Sequence, residues 1–238
     1  MSDGLIIDQL KKNQILDLLK EGKRVDGRQF DEPRKLTIDI GVIPKAEGSA
    51  RARLGDTEVV AGVKVQPERP FPDTGDKGML ICTAEILPIA HPSAETGPPQ
   101  PPVVELARVT DRGIRESGML DMKQLVLEKD KSVIGVFCDN AVTDHDGNLF
   151  DACSYASTAA INACKIPKYE MQDEKPVKIE GEFTEPPITT LPVSVTMAKI
   201  GDFILVDPTI EEWGIMDARI TITSNSDGNV VALQKGGS

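Results

Sequence analysis

The stretch SVIGVFCDNAVTDHDGNLFDACSYASTAAINACK, residues 132–165, decides the fold of this chain. Its first eleven residues are mostly apolar and predict a buried strand over 132–142. The segment DHDGN at 144–148 predicts a turn, because glycine and asparagine tolerate left-handed backbone. The last fourteen residues, 152–165, are nearly all small and predict a helix that packs closely on several sides. A buried strand followed by a buried helix indicates a mixed α/β domain.

Short strand candidates lie on both sides of this unit. Turn residues separate them, and a proline-rich loop at 92–102 precedes a helix that should begin near Val103. The polar residues 168–187 predict an irregular connection with strand fragments at most. Strands, then helices, then strands again predict an α/β (α+β, two-layer) domain with helices on one face of its sheets. The strand candidates are 36–43, 49–55, 57–65 and 79–89 before the unit, and 191–200, 202–209, 218–225 and 229–234 after it.

An N-terminal amphipathic helix is predicted over residues 5–21, with Gly22 as its C-cap. We therefore expect a single domain, 1–238, made of an N-terminal helix (1–22), a first half (31–166) and a second half (188–238). The apolar residues at helical spacing are Ile7, Leu10, Ile15, Leu18 and Leu19.

The composition indicates a soluble globular protein with 39% hydrophobic and 27% charged residues among 238. No apolar run approaches the ~20 residues that span a bilayer, and the N-terminus lacks the pattern of a signal peptide. A net charge of −11 makes the chain a poor general nucleic-acid binder, so any such contact must be local. The four cysteines lack close pairing and predict reduced, buried thiols in a cytoplasmic protein: Cys82, Cys138, Cys153 and Cys164.

An arginine stripe marks the helix that begins near Val103. On a helix, Glu105, Arg108, Arg112 and Arg115 fall within one arc of about 80°. The planar guanidinium group fits phosphate oxygens, which favours a polyanion as the ligand. Alternatively, Glu105 pairs with an arginine of its own helix, and the stripe is a solvated face. The pattern alone favours this second interpretation.

An acidic cluster lies at the end of the 202–209 strand and in the residues after it. Carboxylates at this spacing can hold a divalent metal or act as a general acid or base, although a solvated turn is commoner. The two histidines, His91 and His145, are far apart in sequence and too few for most transition-metal sites. We therefore predict neither a metal nor a cofactor. The cluster comprises Asp207, Glu211, Glu212 and Asp217.

Seven segments together resemble the RNase PH family, in the order in which that family has them. Within the family they are most similar to the non-catalytic RNase PH-like subunits of archaeal exosomes. They cover nearly the whole chain: RVDGR (24–28), AEGSARARLGDTEVVAGV (46–63), AEILPIA (84–90), ELARVTDRGIR (105–115), DGNLFDACS (146–154), VDPTIEEWGIMD (206–217) and ALQKGG (232–237).

The resemblance implies a fold like domain 2 of ribosomal protein S5, built of βαβα units. It also implies a ring of three heterodimers with a catalytic paralogue, a trimeric cap of RNA-binding proteins, and contact with RNA. Family members carry a C-terminal helix after the KGG motif. This sequence has the motif at 235–237 and ends at Ser238, so we expect that helix to be absent.

The phosphate-binding positions of active relatives are altered here. Where those relatives have an arginine before the helix glutamate, this chain has Pro101 and Pro102. Their Gly-Thr-Arg phosphate loop matches Asn148, Leu149 and Phe150. Because apolar side chains supply no charge or donor to a phosphate dianion, we expect this phosphate site to be lost.

The remaining functional positions of the family help to distinguish between the possible functions. Its general-acid or metal aspartate falls on Glu211, and its later aspartate is kept as Asp217. These two residues favour catalysis by this chain, but because the phosphate site is altered we expect no catalytic residue. Arg108 and Arg112 match positions that bind the RNA backbone beside the partner's active site, while Arg115 could bind RNA or pair across the interface. We expect a non-catalytic RNA-degradation subunit. The alternatives are a phosphorolytic 3′-to-5′ exoribonuclease with its own degenerate site, and an unrelated metal hydrolase.

Overall fold

The computed structural model describes residues 2–172 and 175–237, which form a mixed α/β fold. A short 3₁₀ turn, Met122–Leu125, precedes β5. The helices are α1 (Ser2–Lys20), α2 (Pro101–Ser117), α3 (Leu149–Asn162) and α4 (Ile210–Ile215). The strands are β1 (Leu36–Ile40), β2 (Gly48–Leu54), β3 (Thr57–Glu68), β4 (Met79–Ile86), β5 (Val126–Glu128), β6 (Ser132–Asp144), β7 (Ile166–Gln172), β8 (Lys175–Thr184), β9 (Val193–Ile200), β10 (Phe203–Val206), β11 (Ala218–Ser224) and β12 (Val230–Gly237).

The first sheet has the order β1-β2-β3-β6-β4, with β5 paired to β6. Its strands are antiparallel except for β4, which runs parallel to β6. The buried strand predicted over 132–142 is confirmed as β6, in which Val133, Cys138 and Val142 are fully buried. Helices α2 and α3 both contact this sheet, so β6 lies in the main core.

Helix α3 packs closely against β2, as its small residues predict. Ala152, Ala156 and Ala160 are fully buried. The approach depends on Gly48 in β2, because a Cβ atom there would lie 2.3 Å from the carbonyl oxygen of Ala160. The helix begins at Leu149, three residues before the predicted start.

The second sheet is antiparallel, with the order β10-β9-β11-β12. Its inner face contacts α3 through polar groups. The Tyr155 hydroxyl donates to the Ser194 carbonyl over 2.7 Å, and Ser154 and Ser194 share a 2.9 Å hydrogen bond. Helix α2 also contacts this sheet, at β11 and β12, so both α2 and α3 contact both sheets.

Helix α1 packs on the second sheet rather than on the main core. Ile15 and Leu19 are buried in a small cluster with Ile200, Leu205 and Ile215. This confirms an N-terminal helix with a buried side, and Gly22 follows it with a φ of 75°. Leu10, one of the apolar residues at helical spacing, is not on the buried side, because its side chain is 64% exposed. The side chain of Ile7 lies outside the described part of the chain.

The polar segment 168–187 differs from its prediction as an irregular connection. Strands β7 and β8 form an antiparallel hairpin, with a 3.0 Å ion pair between Lys168 and Glu182 across it. Apolar and charged residues do alternate in β8, over VKIEGEF at 177–183, so the sequence contains a strand pattern that this prediction overlooked. Within the described ranges, no helix is long and apolar enough to cross a bilayer.

Candidate functional site

Helix α2 carries the arginine stripe, and its two ends explain its boundaries. It begins at Pro101 instead of near Val103, because proline is tolerated in the first turn of a helix. It ends at Ser117. The C-cap residue Gly118 adopts the left-handed conformation and donates its N–H to the Arg115 carbonyl over 3.1 Å. Leu106 and Ile114 are buried on the opposite face of the helix, so the stripe is directed outward.

Arg108 and Arg112 are exposed on this outer face. Arg108 has no hydrogen bond or ion pair with any residue that the structure describes. Arg112 makes two long hydrogen bonds of 3.4 Å, to the carbonyl of Leu233 and to Oε1 of Gln234 in β12. Both guanidinium groups therefore remain available to an anion.

Arg115 differs from these two arginines because it is already paired. Its Nη2 atom lies 2.9 Å from Asp111 Oδ2, one helical turn away, and donates to the Leu80 carbonyl over 2.8 Å. The hydrogen bond with Asp111 raises the pKa of Arg115. A phosphate would have to compete with Asp111 for this side chain, so an RNA contact by Arg115 stays a prediction.

Glu105 does not pair with the arginines of its own helix. Its Oε2 atom lies 2.7 Å from Nη2 of Arg219 in β11, and its Oε1 atom accepts from Nε2 of Gln234 over 2.8 Å. The expected pairing of Glu105 with Arg108 or Arg112 is therefore wrong for this structure. No spacing in the sequence connects residue 105 with residues 219 and 234, because only the fold brings them together.

The expected phosphate loop forms the start of α3. Asn148 has a φ of 47° and donates from Nδ2 to Asp151 and to Asp207, both over 2.7 Å. Leu149 and Phe150 are 8% and 5% exposed. The side chains of these two residues therefore present buried apolar groups at the position of the loop.

An arginine that the sequence pattern did not single out lies beside Phe150. The Arg219 guanidinium carbon is 4.2 Å from the centroid of the Phe150 ring and 5.4 Å from that of Trp213. Its Nη1 atom is buried, without a hydrogen-bond partner in the part of the chain that the structure describes. A cationic group is thus present near the altered loop, although Glu105 pairs with it.

A cavity of about 360 Å³ adjoins Arg219. Phe150, Trp213, Leu106 and Pro102 line it, together with the polar residue Asn148. Pro101 and Pro102 themselves are exposed in the first turn of α2.

The four acidic residues predicted as a cluster have separate environments. Asp207 is 1% exposed, and its carboxylate accepts from Arg34 over 2.8 Å and from Arg28 over 3.1 Å. Burial alone would raise the pKa of Asp207, but the hydrogen bonds and charge of Arg34 outweigh burial and lower the pKa. Glu212 is fully buried and pairs with Arg24 over 2.6 Å. These two carboxylates bind structural arginines.

The other two acids lie nearer to solvent. Glu211 is exposed, and Asp217 pairs with Lys12 of α1 over 2.6 Å. The hydrogen bond from Lys12 lowers the pKa of Asp217. In residues 2–172 and 175–237, no three acidic, histidine or cysteine side chains are arranged to hold a metal ion.

The two histidines meet in the fold despite their separation in sequence. Their ring centroids are 5.8 Å apart in an edge-on arrangement, and both rings line a groove of about 650 Å³ beside the proline-rich loop. Burial, followed by the charges of His91 and Arg34, lowers the pKa of His145 to about 4. His145 is therefore neutral at physiological pH.

The cysteines are not part of this site. All four are buried and free, as their sequence context predicts. Burial raises the pKa of Cys164 to about 12, so its thiol is unreactive at neutral pH.

Comparisons with known proteins agree with the resemblance in the sequence. Residues 32–167 match the model for the 3′ exoribonuclease family, domain 1, and residues 190–238 match that for domain 2. The exosome complex component Rrp42 of Thermococcus gammatolerans is 48% identical over 237 residues, which covers 99% of this chain and 87% of the relative. The corresponding component of Methanopyrus kandleri is 46% identical over 232 residues, covering 97% and 86%.

Solved structures give the same result for the fold. An Archaeoglobus fulgidus exosome with RNA bound to the active site contains a chain with a TM-score of 0.90 and 48% identity, covering 98% of this chain and 89% of that one. A chain of an archaeal exosome core has a TM-score of 0.86 at 44% identity, covering 100% and 89%.

Proposed function

The chain belongs to the RNase PH family of 3′ exoribonucleases, and from this membership we propose that it is a non-catalytic ring subunit of an archaeal-type exosome. In this proposal it completes the active site of a catalytic RNase PH-like paralogue and contacts RNA during 3′-to-5′ degradation. Three such heterodimers form the ring, which carries a trimeric cap of RNA-binding proteins. We place this assembly in the cytoplasm, where reduced thiols like the four buried cysteines are usual.

The observation that carries the RNA contact is the availability of two arginines in an acidic chain. Arg108 is exposed without a partner in the described ranges, and the hydrogen bonds of Arg112 are long. Guanidinium groups that lack a carboxylate partner can bind phosphate oxygens without first breaking an ion pair. Because the chain has a net charge of −11, such cations make the outer face of α2 the favoured site for RNA.

The altered phosphate loop supports a non-catalytic role. Phosphorolysis needs a phosphate dianion whose charge is neutralised by cations and whose oxygens accept from nearby donors. The side chains of Leu149 and Phe150 provide neither, and Pro101 and Pro102 stand where active relatives have an arginine. Arg219 lies against Phe150, but its charge is paired with Glu105 at 2.7 Å. A phosphate there would have to displace that carboxylate.

The acidic positions give little support to an independent active site. Asp217 is paired with Lys12 at 2.6 Å, and Glu211 stands alone near the surface. A general acid must reach the leaving oxygen in a site that also holds the phosphate. The buried acids Asp207 and Glu212 already bind arginines, so they are not free for this role.

A reconstitution assay tests the proposal. RNA, phosphate and Mg²⁺ are incubated with this chain, with its catalytic paralogue, and with both together, and nucleoside diphosphates are measured. We expect no release from this chain alone, and more release from both chains together than from the paralogue alone. The reason is that the arginines of this chain would complete the RNA path of the partner.

Two other outcomes would contradict the proposal. Diphosphate release by the purified chain alone, proportional to its concentration, would mean that it has its own phosphorolytic site. Mg²⁺-dependent release of monophosphates in the absence of phosphate would instead indicate a hydrolase. A Glu211→Gln plus Asp217→Asn variant provides the control, because either activity should disappear if these carboxylates catalyse it.

A further inference from the structure

Glu105 lies on the same face of α2 as the two available arginines, yet its carboxylate is held elsewhere. One oxygen is 2.7 Å from Arg219 Nη2, and the other accepts from Gln234 Nε2 over 2.8 Å. Both oxygens are therefore engaged by the second sheet.

A carboxylate without these partners would compete with RNA. Residues three apart on a helix are neighbours, so a released Glu105 side chain could pair with Arg108. Such an ion pair would occupy the guanidinium group that a phosphate needs, and it would place a negative charge beside the RNA backbone.

Arg219 is closely packed on both sides of its guanidinium group. Its guanidinium group lies over the Phe150 ring at 4.2 Å, and a Cβ atom on Gly236 would come within 2.7 Å of the guanidinium carbon. The glycine thus leaves space for the group between β12 and the ring. Because only 7% of Arg219 is exposed, this residue is poorly placed to reach RNA itself and acts through Glu105.

Gln234 extends the arrangement toward Arg112. Its amide N–H donates to Glu105, while its Oε1 atom lies 3.4 Å from Arg112 Nη2. The amide therefore separates the carboxylate from this arginine and presents a neutral acceptor to it.

We propose that Arg219 is a positioning residue for RNA binding: it holds Glu105 away from Arg108 and Arg112 and so keeps both arginines available to phosphate. This inference rests on the proposed function, because it concerns the same RNA-binding face.

The test is a double-mutant cycle on the assembled ring, with single-stranded RNA affinity as the measurement. Arg219→Met keeps an apolar side chain against Phe150 and releases Glu105, and we expect affinity to fall by roughly threefold to tenfold. In a Glu105→Gln background the same change should alter affinity by less than about twofold, because no carboxylate remains to be released.

Loss of positive charge by itself predicts a different result. It would weaken binding by the same factor in both backgrounds, and that outcome, or no loss in either, overturns the inference. Lys235→Met is the matched control, since it removes one exposed charge of β12 and should have the same effect in both backgrounds.

Further variants separate the possible failures. If size-exclusion chromatography shows that Arg219→Met does not assemble, Gln234→Leu removes the other partner of Glu105 and should give a smaller loss that Glu105→Gln also abolishes. Arg108→Ala plus Arg112→Ala tests the RNA face itself. If this double variant binds RNA normally, the proposed function fails. If the double variant binds RNA weakly while Arg219→Met binds it normally, only the role of Arg219 fails.

Discussion

The carboxyl group of Asp151 is fully buried where α3 contacts the second sheet. It accepts hydrogen bonds from the backbone N–H and hydroxyl of Thr196, and from Asn148, over 2.7 to 2.9 Å. Burial raises the pKa of Asp151 to about 7, against the effect of these hydrogen bonds, and nearby Asp207 adds to the rise. The folded chain therefore retains a proton that the unfolded chain releases near pH 4.

We expect Asp151→Asn to gain stability relative to the wild type as pH rises from about 4.5 to 6.5, by up to about 1.4 kcal/mol per pH unit. In this window the folded carboxyl binds a proton and the unfolded one does not, so rising pH destabilises the wild type through this group. Denaturant unfolding at several pH values measures the difference.

His145 acts with the opposite sign over nearly the same range. Its pKa is lowered to about 4, so the unfolded state binds the additional proton and rising pH stabilises the fold through this residue. Because both proteins retain the histidine, its contribution cancels in the comparison. Parallel pH curves for Asp151→Asn and the wild type would contradict the assignment.

The partners of Glu105 show what could not be predicted at the level of single residues. The outward face of α2 follows from helical spacing, and the structure confirms the exposure of Arg108 and Arg112. The alternative that Glu105 pairs within the helix was favoured by the same spacing. It is wrong because Arg219 and Gln234, both distant in sequence, are brought to this carboxylate by the second sheet.

At the scale of elements, the contact between α3 and β2 depends on Gly48. We expect Gly48→Ala to lower the free energy of unfolding by about 1–3 kcal/mol, because a Cβ atom must displace the backbone of α3. Thermal and denaturant unfolding measure this change. Gly214→Ala in α4 is the control, since a Cβ atom there meets nothing within 4 Å. Equal stability of the two variants would show that α3 can move away at little cost.

The elements that were predicted correctly are those whose sequence clearly indicates which residues are buried. Strand β6 and helix α3 were predicted because buried residues dominate both. The hairpin of β7 and β8 was missed because its many charged residues favour a loop, although apolar and charged residues alternate over 177–183. Cross-strand contacts such as Lys168 with Glu182 accompany its pairing. The early start of α2 was missed because Pro101 and Pro102 indicate a loop unless they stand in a first helical turn.

At the scale of the whole molecule, a buried ion pair joins the segment after α1 to the second half. Arg24 donates to Glu212 over 2.6 and 2.9 Å, and neither side chain is exposed to solvent. Arg24 also donates to the carbonyls of Val206 and Asp207. The RVDGR motif therefore has a structural role in this chain.

We expect Arg24→Met to cost about 3–5 kcal/mol of stability, because it leaves Glu212 charged and buried without its partner. Adding Glu212→Gln should recover part of this loss, as the double variant contains no unpaired charge. Lys23→Met is the control, since its pair with Glu21 is exposed and should contribute less than about 1 kcal/mol. A single Arg24→Met variant as stable as the wild type, by denaturant unfolding, would contradict this role.

The affinity of the assembled ring for single-stranded RNA, measured across salt concentrations, tests the RNA-binding face most directly. Arg108→Ala plus Arg112→Ala should weaken binding and make the slope of log affinity against log salt shallower by about 1.4, since each neutralised phosphate of a single strand contributes about 0.7. An assembled double variant with wild-type affinity and slope would show that RNA does not bind these arginines.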